Sequence, residues 1–272
     1  MQIVFPERCN PQKYYKLHVQ YMINSARAAG HIVSIDKNAI PLPDGQECRL
    51  IILVDGKKLM VDYCDFPIVT EFELEHKNIL KFHKFKNSLK YINPFPPISF
   101  YDWSQYAELA NEITYTAQGE IISSRQSFTQ HQKSAATRRH VQKTMADKYG
   151  DIVKYGRIEQ VDFWKEISHS LVSVCVPGAC SSILDRGQLQ WMGFGGCTIS
   201  PHIDTILPWN RELVSGVHYL ECKNDFSNLF ALIDWCKDNR DKCVEIGQNA
   251  KQLFMETCHP IKAWEWVQEC IS

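Results

Sequence analysis

No uncharged apolar run in the 272 residues approaches the ~18 that a membrane-spanning helix needs. The opening MQIVFPERCN breaks at Pro6 and continues into a charged pair, so neither a signal peptide nor a membrane anchor is expected. Eleven cysteines contain no C-x-x-C pair, and the closest two are Cys175 and Cys180. An odd, scattered set argues against a secreted disulfide framework and a zinc site, and favours reduced thiols in a soluble, cytoplasmic protein. Lysine and arginine number 30 against 31 aspartate and glutamate. That balance excludes the broad positive field that nucleic acid or an anionic membrane would need, so an anionic ligand must meet a local basic cluster. No strand-like run is followed by G-x-G-x-x-G, which removes the dinucleotide fingerprint, and no internal repeat or low-complexity tract is present.

What is present reads as alternating strands and helices. Residues 2–6 and 32–36 are strand-like and flank a helical pattern over residues 14–29 that stops at Gly30. Residues 48–63 are two apolar strands around Asp55-Gly56, a strong hairpin signal. Residues 79–85 (ILKFHKF) alternate apolar and basic, the pattern of an exposed edge strand; the proline-rich stretch that follows, Asn93 to Pro97, is neither helix nor central strand. Glu71, Glu73 and Glu75 would share one face if extended, most simply a solvated one. Strands at 119–125, 151–155, 171–176, 197–200 and 217–222 are separated by helical segments, including 134–149, 159–169 and 184–194. Three more helices follow, over 225–239, 240–257 and 260–272, and this alternation predicts a doubly wound α/β sheet.

Such sheets bind ligands beyond the carboxyl ends of their strands. Three turns there carry polar chemistry. After strand 119–125 come Arg125, His131, Lys133, Arg138, Arg139 and His140. Arg125 and Lys133 are the candidates for a diphosphate, and the others read as a solvated helix face. After strand 171–176, Pro177, Gly178 and the small residues to Ser182 allow close backbone approach. Arg186 adds charge to the following helix start, and Asp185 either bridges ribose hydroxyls or simply favours the helix dipole. Tyr155-Gly156-Arg157, the third turn, offers an aromatic and a guanidinium plane for a base, or is a plain loop.

The stretch YGRIEQVDFWKEISHSLVSVCVPGACSSILDRGQLQWMGFGGCTISPHIDTILPW, with GVHYL and NDFSNLFALIDWC after it, resembles the donor-binding half of GT-B glycosyltransferases. It is most similar to compact exostosin-like and CAP10-like enzymes, including those with which large algal viruses glycosylate their capsid proteins. The resemblance covers residues 117–257; the first half follows only in outline. It implies two Rossmann-like domains facing across a cleft: residues 1–107 binding the acceptor, 108–258 binding the donor, and 259–272 forming a helix that packs back on the first domain. The implied partners are a nucleotide-sugar, with UDP carrying xylose or a hexose, and a glycan acceptor. The Glu-x7-Glu of many retaining members is missing from the comparable helix, where Asp185 with Gln188 stands, which favours inversion. There is no Asp-x-Asp, so no obligatory metal or other cofactor is implied.

Inverting transfer needs a base to deprotonate the acceptor and positive charge to stabilise the leaving diphosphate. Asp65, where a strand ends before Phe66-Pro67, is the first choice of base, with Asp62, Glu7 and Glu73 behind it. A nucleotide-sugar epimerase or hydrolase, or a non-catalytic binding module, would fit the same donor half.

Overall fold

The computed structural model describes residues 1–7, 13–38, 42, 48–64, 66–97, 100, 102–126, 132–178, 180 and 182–272, excepting the side chains of residues 13–17, 132 and 133. The first elements are β1 (Gln2–Pro6), α1 (Lys13–Ala28), β2 (Ile32–Asp36), β3 (Arg49–Val54) and β4 (Lys57–Asp62). There follow α2 (Glu71–Leu74), β5 (Ile79–Lys81), β6 (Ile92–Pro94), α3 (Trp103–Glu112), β7 (Ile121–Ser124) and α4 (Gln132–Tyr149). Then come β8 (Val153–Tyr155), α5 (Gln160–Glu166), β9 (Ser170–Val174), α6 (Arg186–Phe194) and β10 (Thr198–Ser200). The chain closes with β11 (Ile206–Leu207), β12 (Arg211–Glu212), β13 (Leu220–Glu221), α7 (Leu229–Asp238), α8 (Arg240–Thr257) and α9 (Pro260–Ile271). Among the described residues, no helix is long and apolar enough to cross a membrane.

Two compact units result. Unit 1 comprises Met1–Tyr106, Ile206–Arg211 and Glu256–Ser272; unit 2 comprises Ala107–Thr205 and Glu212–Met255. The sheet of unit 1 runs β2-β1-β3-β4-β5-β6. All its pairs are parallel except those of β3, which is antiparallel to β1 and β4. The reversal follows from the turn at Asp55-Gly56, whose φ values of 48° and 78° are those of a tight hairpin turn. Ile3, Phe5, Ile52, Val61, Leu80 and Phe95 are buried in this unit. The α9 residue Trp264 is buried too, edge-on to Phe95 with centroids 5.7 Å apart, and its indole N–H donates to Ser25 Oγ at 3.1 Å.

Two local expectations are corrected. β5 is no exposed edge: it pairs with β4 and β6, and Lys81 is 0% exposed because its charge is met inside the protein. Glu71 to Glu75 are not extended either. Glu71–Leu74 form a helical turn, and the Glu73 carboxylate accepts from the backbone N–H of Thr70 at 2.7 Å and from its hydroxyl at 3.0 Å.

The sheet of unit 2 has the order β13-β10-β9-β7-β8, and every pair is parallel. In chain order within the unit this is 2-1-3-4-5, a doubly wound sheet whose strand order reverses between β7 and β9. The central strand β9 (SLVSV) is buried throughout, as a strand covered on both faces should be. α6 ends at Gly195, with φ 77°, so GFGG closes a helix rather than opening one.

Candidate functional site

The reversal between β7 and β9 is where a sheet of this order opens a crevice at its carboxyl edge. One helix organises that edge. Ser134, Arg138 and Gln142 stand four residues apart on α4 and therefore share a face. Ser134 Oγ donates to the Gly178 carbonyl. Arg138 Nε donates to Val176 O at 2.9 Å, and Gln142 Nε2 to Ser124 O at 3.0 Å. A polar stripe thus donates to carbonyls at the end of β7 and beyond the end of β9. Arg138 is almost buried, and its Nη2 also lies 3.3 Å from Asp185 Oδ2.

Asp185 serves two ends at once. Its Oδ1 accepts from Gly187 N at 2.8 Å and so caps α6, while Oδ2 faces Arg138. Arg186 follows in the first turn of α6 and is half-buried. Pro177 is buried and Gly178 half-buried at the end of β9; Ser182 is half-buried, with its carbonyl accepting from Asp204 N at 2.8 Å.

Arg125 belongs to a neighbouring cluster on the β8 side. Its Nε contacts Glu166 Oε1 and Oε2 at 3.2 and 3.0 Å, its Nη2 pairs with Glu166, and its Nη1 donates to Tyr155 O at 2.9 Å. Glu166 also accepts from Ser123 Oγ at 2.8 Å. The Tyr155 side chain and Arg157 are exposed beyond the end of β8, the edge strand. Lys133 stands in the first turn of α4, with its side chain outside the described set, and Asp65 lies outside the described residues.

At the far side of the same carboxyl edge, His202 Nδ1 lies 3.0 Å from Glu221 Oε2 and Nε2 lies 3.3 Å from Asp204 Oδ1. The hydrogen bond to Glu221, opposed by slight burial and helped by the charge of both carboxylates, holds the imidazole above its ordinary pKa.

In unit 1, Asp62 and Glu73 are buried in a charge network with Arg49 and Lys81. Arg49 Nη2 is 2.9 Å from Glu73 and 3.8 Å from Asp62, and Lys81 pairs with Asp62 and lies 3.9 Å from Glu73. Burial pushes the Asp62 carboxyl up to about 7 against the pull of Lys81. Burial acts on Glu73 in the same direction but is outweighed by hydrogen bonds from Asp62 and the Thr70 backbone and by both cations, which hold it low. Asp62 Oδ1 also accepts from Cys64 N at 2.8 Å, fixing the turn after β4. Asp62 and Glu73 are therefore buried groups whose charges are met by Arg49 and Lys81.

Arg138, read from the sequence as part of a solvated helix face, is instead buried against Val176 and Asp185, and Gln142 and Glu166 were passed over. The four-residue spacing of Ser134, Arg138 and Gln142 was the available signal, hidden because charged residues on both faces of α4 mask which face is buried.

No family model matches the chain. A 38-residue segment, 14% of the chain, is 45% identical to "Uncharacterized protein 179R" of Invertebrate iridescent virus 6, and the match spans 3% of that protein. Among solved structures, Anabaena Alr3699/HepE in complex with UDP and glucose is similar to 72% of this chain, across 62% of its own length, with a TM-score of 0.48 and 10% identity.

Proposed function

We propose that the chain is a glycosyltransferase whose nucleotide-sugar donor, a UDP-sugar carrying xylose or a hexose, binds at the carboxyl ends of β7 and β9. The observation that carries the reading is the strand-order reversal, where α4 and the start of α6 bring guanidinium groups and a small-residue loop to one sheet edge. The glycosyl-transfer step itself comes from the sequence resemblance over residues 117–257.

In this reading Arg186 and Arg125, with Lys133, meet the diphosphate. Pro177, Gly178 and Ser182 leave room for the phosphates to approach the backbone, Asp185 turns to the ribose, and Tyr155 and Arg157 flank the base. Glu166 pairs with Arg125 and fixes the direction of its guanidinium. Unit 1 takes a glycan acceptor; Asp65 removes its hydroxyl proton as oxygen attacks the anomeric carbon, and UDP leaves with inversion, without an obligatory metal. A viral capsid glycan is one acceptor that suits the resemblance.

Thermal shift with uridine, UMP, UDP and UDP-sugars tests the donor site, since a ligand of the native state raises the melting temperature. Arg186→Ala should weaken UDP binding by about 1.5–3 kcal/mol, the range for hydrogen bonds to charged groups, and leave uridine nearly unchanged. Equal losses for uridine and UDP would count against a phosphate role. In product assays with a glycan acceptor, Asp65→Asn should retain donor binding and lose about two to four orders of magnitude in transfer. Release of free sugar without an acceptor would favour a hydrolase instead.

A further inference from the structure

Unit 1 carries a pair of tryptophans that neither donor binding nor the buried charge network uses. Pro208–Asn210 form a turn that belongs to unit 1 and packs against β6 and α9. Trp209 has φ 56° and ψ 25°, and Asn210 has φ 55°. Asparagine tolerates this left-handed conformation, but a tryptophan held in it is an outlier. Such strain persists only where the surroundings fix it, and it gathers at ligand clamps. Here side chains fix it: Trp209 Nε1 donates to Glu269 Oε2 at 3.0 Å, and Lys84 Nζ donates to Asn210 Oδ1 at 3.2 Å. The turn sets the indole of Trp209 beside that of Trp266, with centroids 5.5 Å apart and planes tilted by 54°. Trp266 is anchored as well, its Nε1 donating to Pro94 O at 2.8 Å.

Both tryptophans are half-buried, so each keeps solvent-facing surface while its ring nitrogen is satisfied. Pro94 ends β6, and Lys84 lies just past the end of the parallel strand β5. The pair therefore stands at the carboxyl edge of the unit 1 sheet, the edge at which α/β sheets bind ligands.

We propose that Trp209 and Trp266 form a stacking platform for a sugar ring of the glycan acceptor, an assignment that rests on the transferase reading of unit 1. A sugar ring presents a face of C–H groups and a rim of hydroxyls. The C–H face packs on the indoles, and the hydroxyls need both acceptors and donors beside them. Glu269 and Asn210 are exposed next to the rings. The Glu269 Oε1 lies outside the bond from Trp209, and the Nδ2 hydrogens of Asn210 lie outside the contact with Lys84. An aromatic wall with a few fixed polar groups is the composition of a small-ligand site. An apolar peptide helix would instead desolvate Glu269 and Asn210 without replacing their bonds to water.

The test uses the full chain labelled with nitrogen-15 at tryptophan, whose seven indole N–H signals are assigned with single Trp→Phe variants. An array of immobilised oligosaccharides built from xylose and hexoses, read without donor, selects the probe that is then titrated. The signals of Trp209 and Trp266 should move, and the remaining five should stay. Trp209→Ala should weaken saccharide binding about tenfold or more, as loss of an aromatic anchor does. Trp209→Phe, which keeps a ring in the same turn, should retain most of the affinity. Trp235→Ala, at an exposed tryptophan on α7 in unit 2, should change nothing. An array without a binder, shifts confined to other tryptophans, or wild-type affinity in Trp209→Ala each overturns the platform. Thermal shift with UDP follows the donor separately. UDP binding without saccharide at these indoles overturns the platform and leaves the transferase reading standing. Saccharide at these indoles without UDP binding keeps the platform and removes that reading.

Discussion

Lys81 carries its charge into the interior, and its pairing with Asp62 explains why a lysine stands in the middle of a sheet. Removing one member of such a network is costly because the other charge stays buried. Lys81→Met should lower stability by about 3–5 kcal/mol in urea titrations. Adding Asp62→Leu should recover much of that loss, since a well-packed apolar pair removes both desolvation costs. The ILKFHKF pattern could not disclose this, because alternation reports faces and not which charges have partners across the sheet. His202 tells a second residue-scale story. Its folded pKa is raised by Glu221 and Asp204, so its contribution to stability is complete below the ordinary imidazole value near 6.5 and is lost as pH rises through the folded value. An NMR titration should place His202 above 6.5, and Glu221→Gln should bring it back down. A wild-type midpoint at or below 6.5 would contradict the assignment.

Among the elements, the hairpin at Asp55-Gly56, the helix end at Gly195 and the parallel run of unit 2 were legible, because turn chemistry and apolar periodicity are local signals. The polar face of α4 was not, because its partners, the carbonyls of Ser124, Val176 and Gly178, come from two separate strand ends. The approach of α8 to the end of α6 also escaped notice. Gly247 on α8 lies so close that a Cβ there would sit 2.0 Å from the Gly195 carbonyl oxygen. Backbone cannot yield as a side-chain tip can, so Gly247→Ala must push α8 away from α6. Gly150→Ala meets no atom within 4 Å and suffers only its left-handed φ of 64°, a cost of about 1–2 kcal/mol. Thermal denaturation should therefore show Gly247→Ala as the more damaging of the two, although alanine is intrinsically the better helix former.

At the scale of the whole molecule, unit 1 is assembled from three separated stretches, and α9 supplies part of its interior. Trp264 packs against Phe95 and donates to Ser25, so Trp264→Ala should cost about 3–5 kcal/mol, the usual range for emptying a large aromatic site. Melting followed by circular dichroism would measure it, and a loss under 1 kcal/mol would show that α9 contributes little to this core. The order of these stretches also governs when the protein can fold during its synthesis. Ribosomes deliver chains from the N-terminus, and a domain completes only when its last contributing segment has emerged. All of unit 2, through Met255, emerges from the ribosome ahead of the helix carrying Trp264. The unit begun first is therefore the one finished last, and until then α1 and Phe95 wait with part of their apolar cover missing, a natural interval for a chaperone to attend.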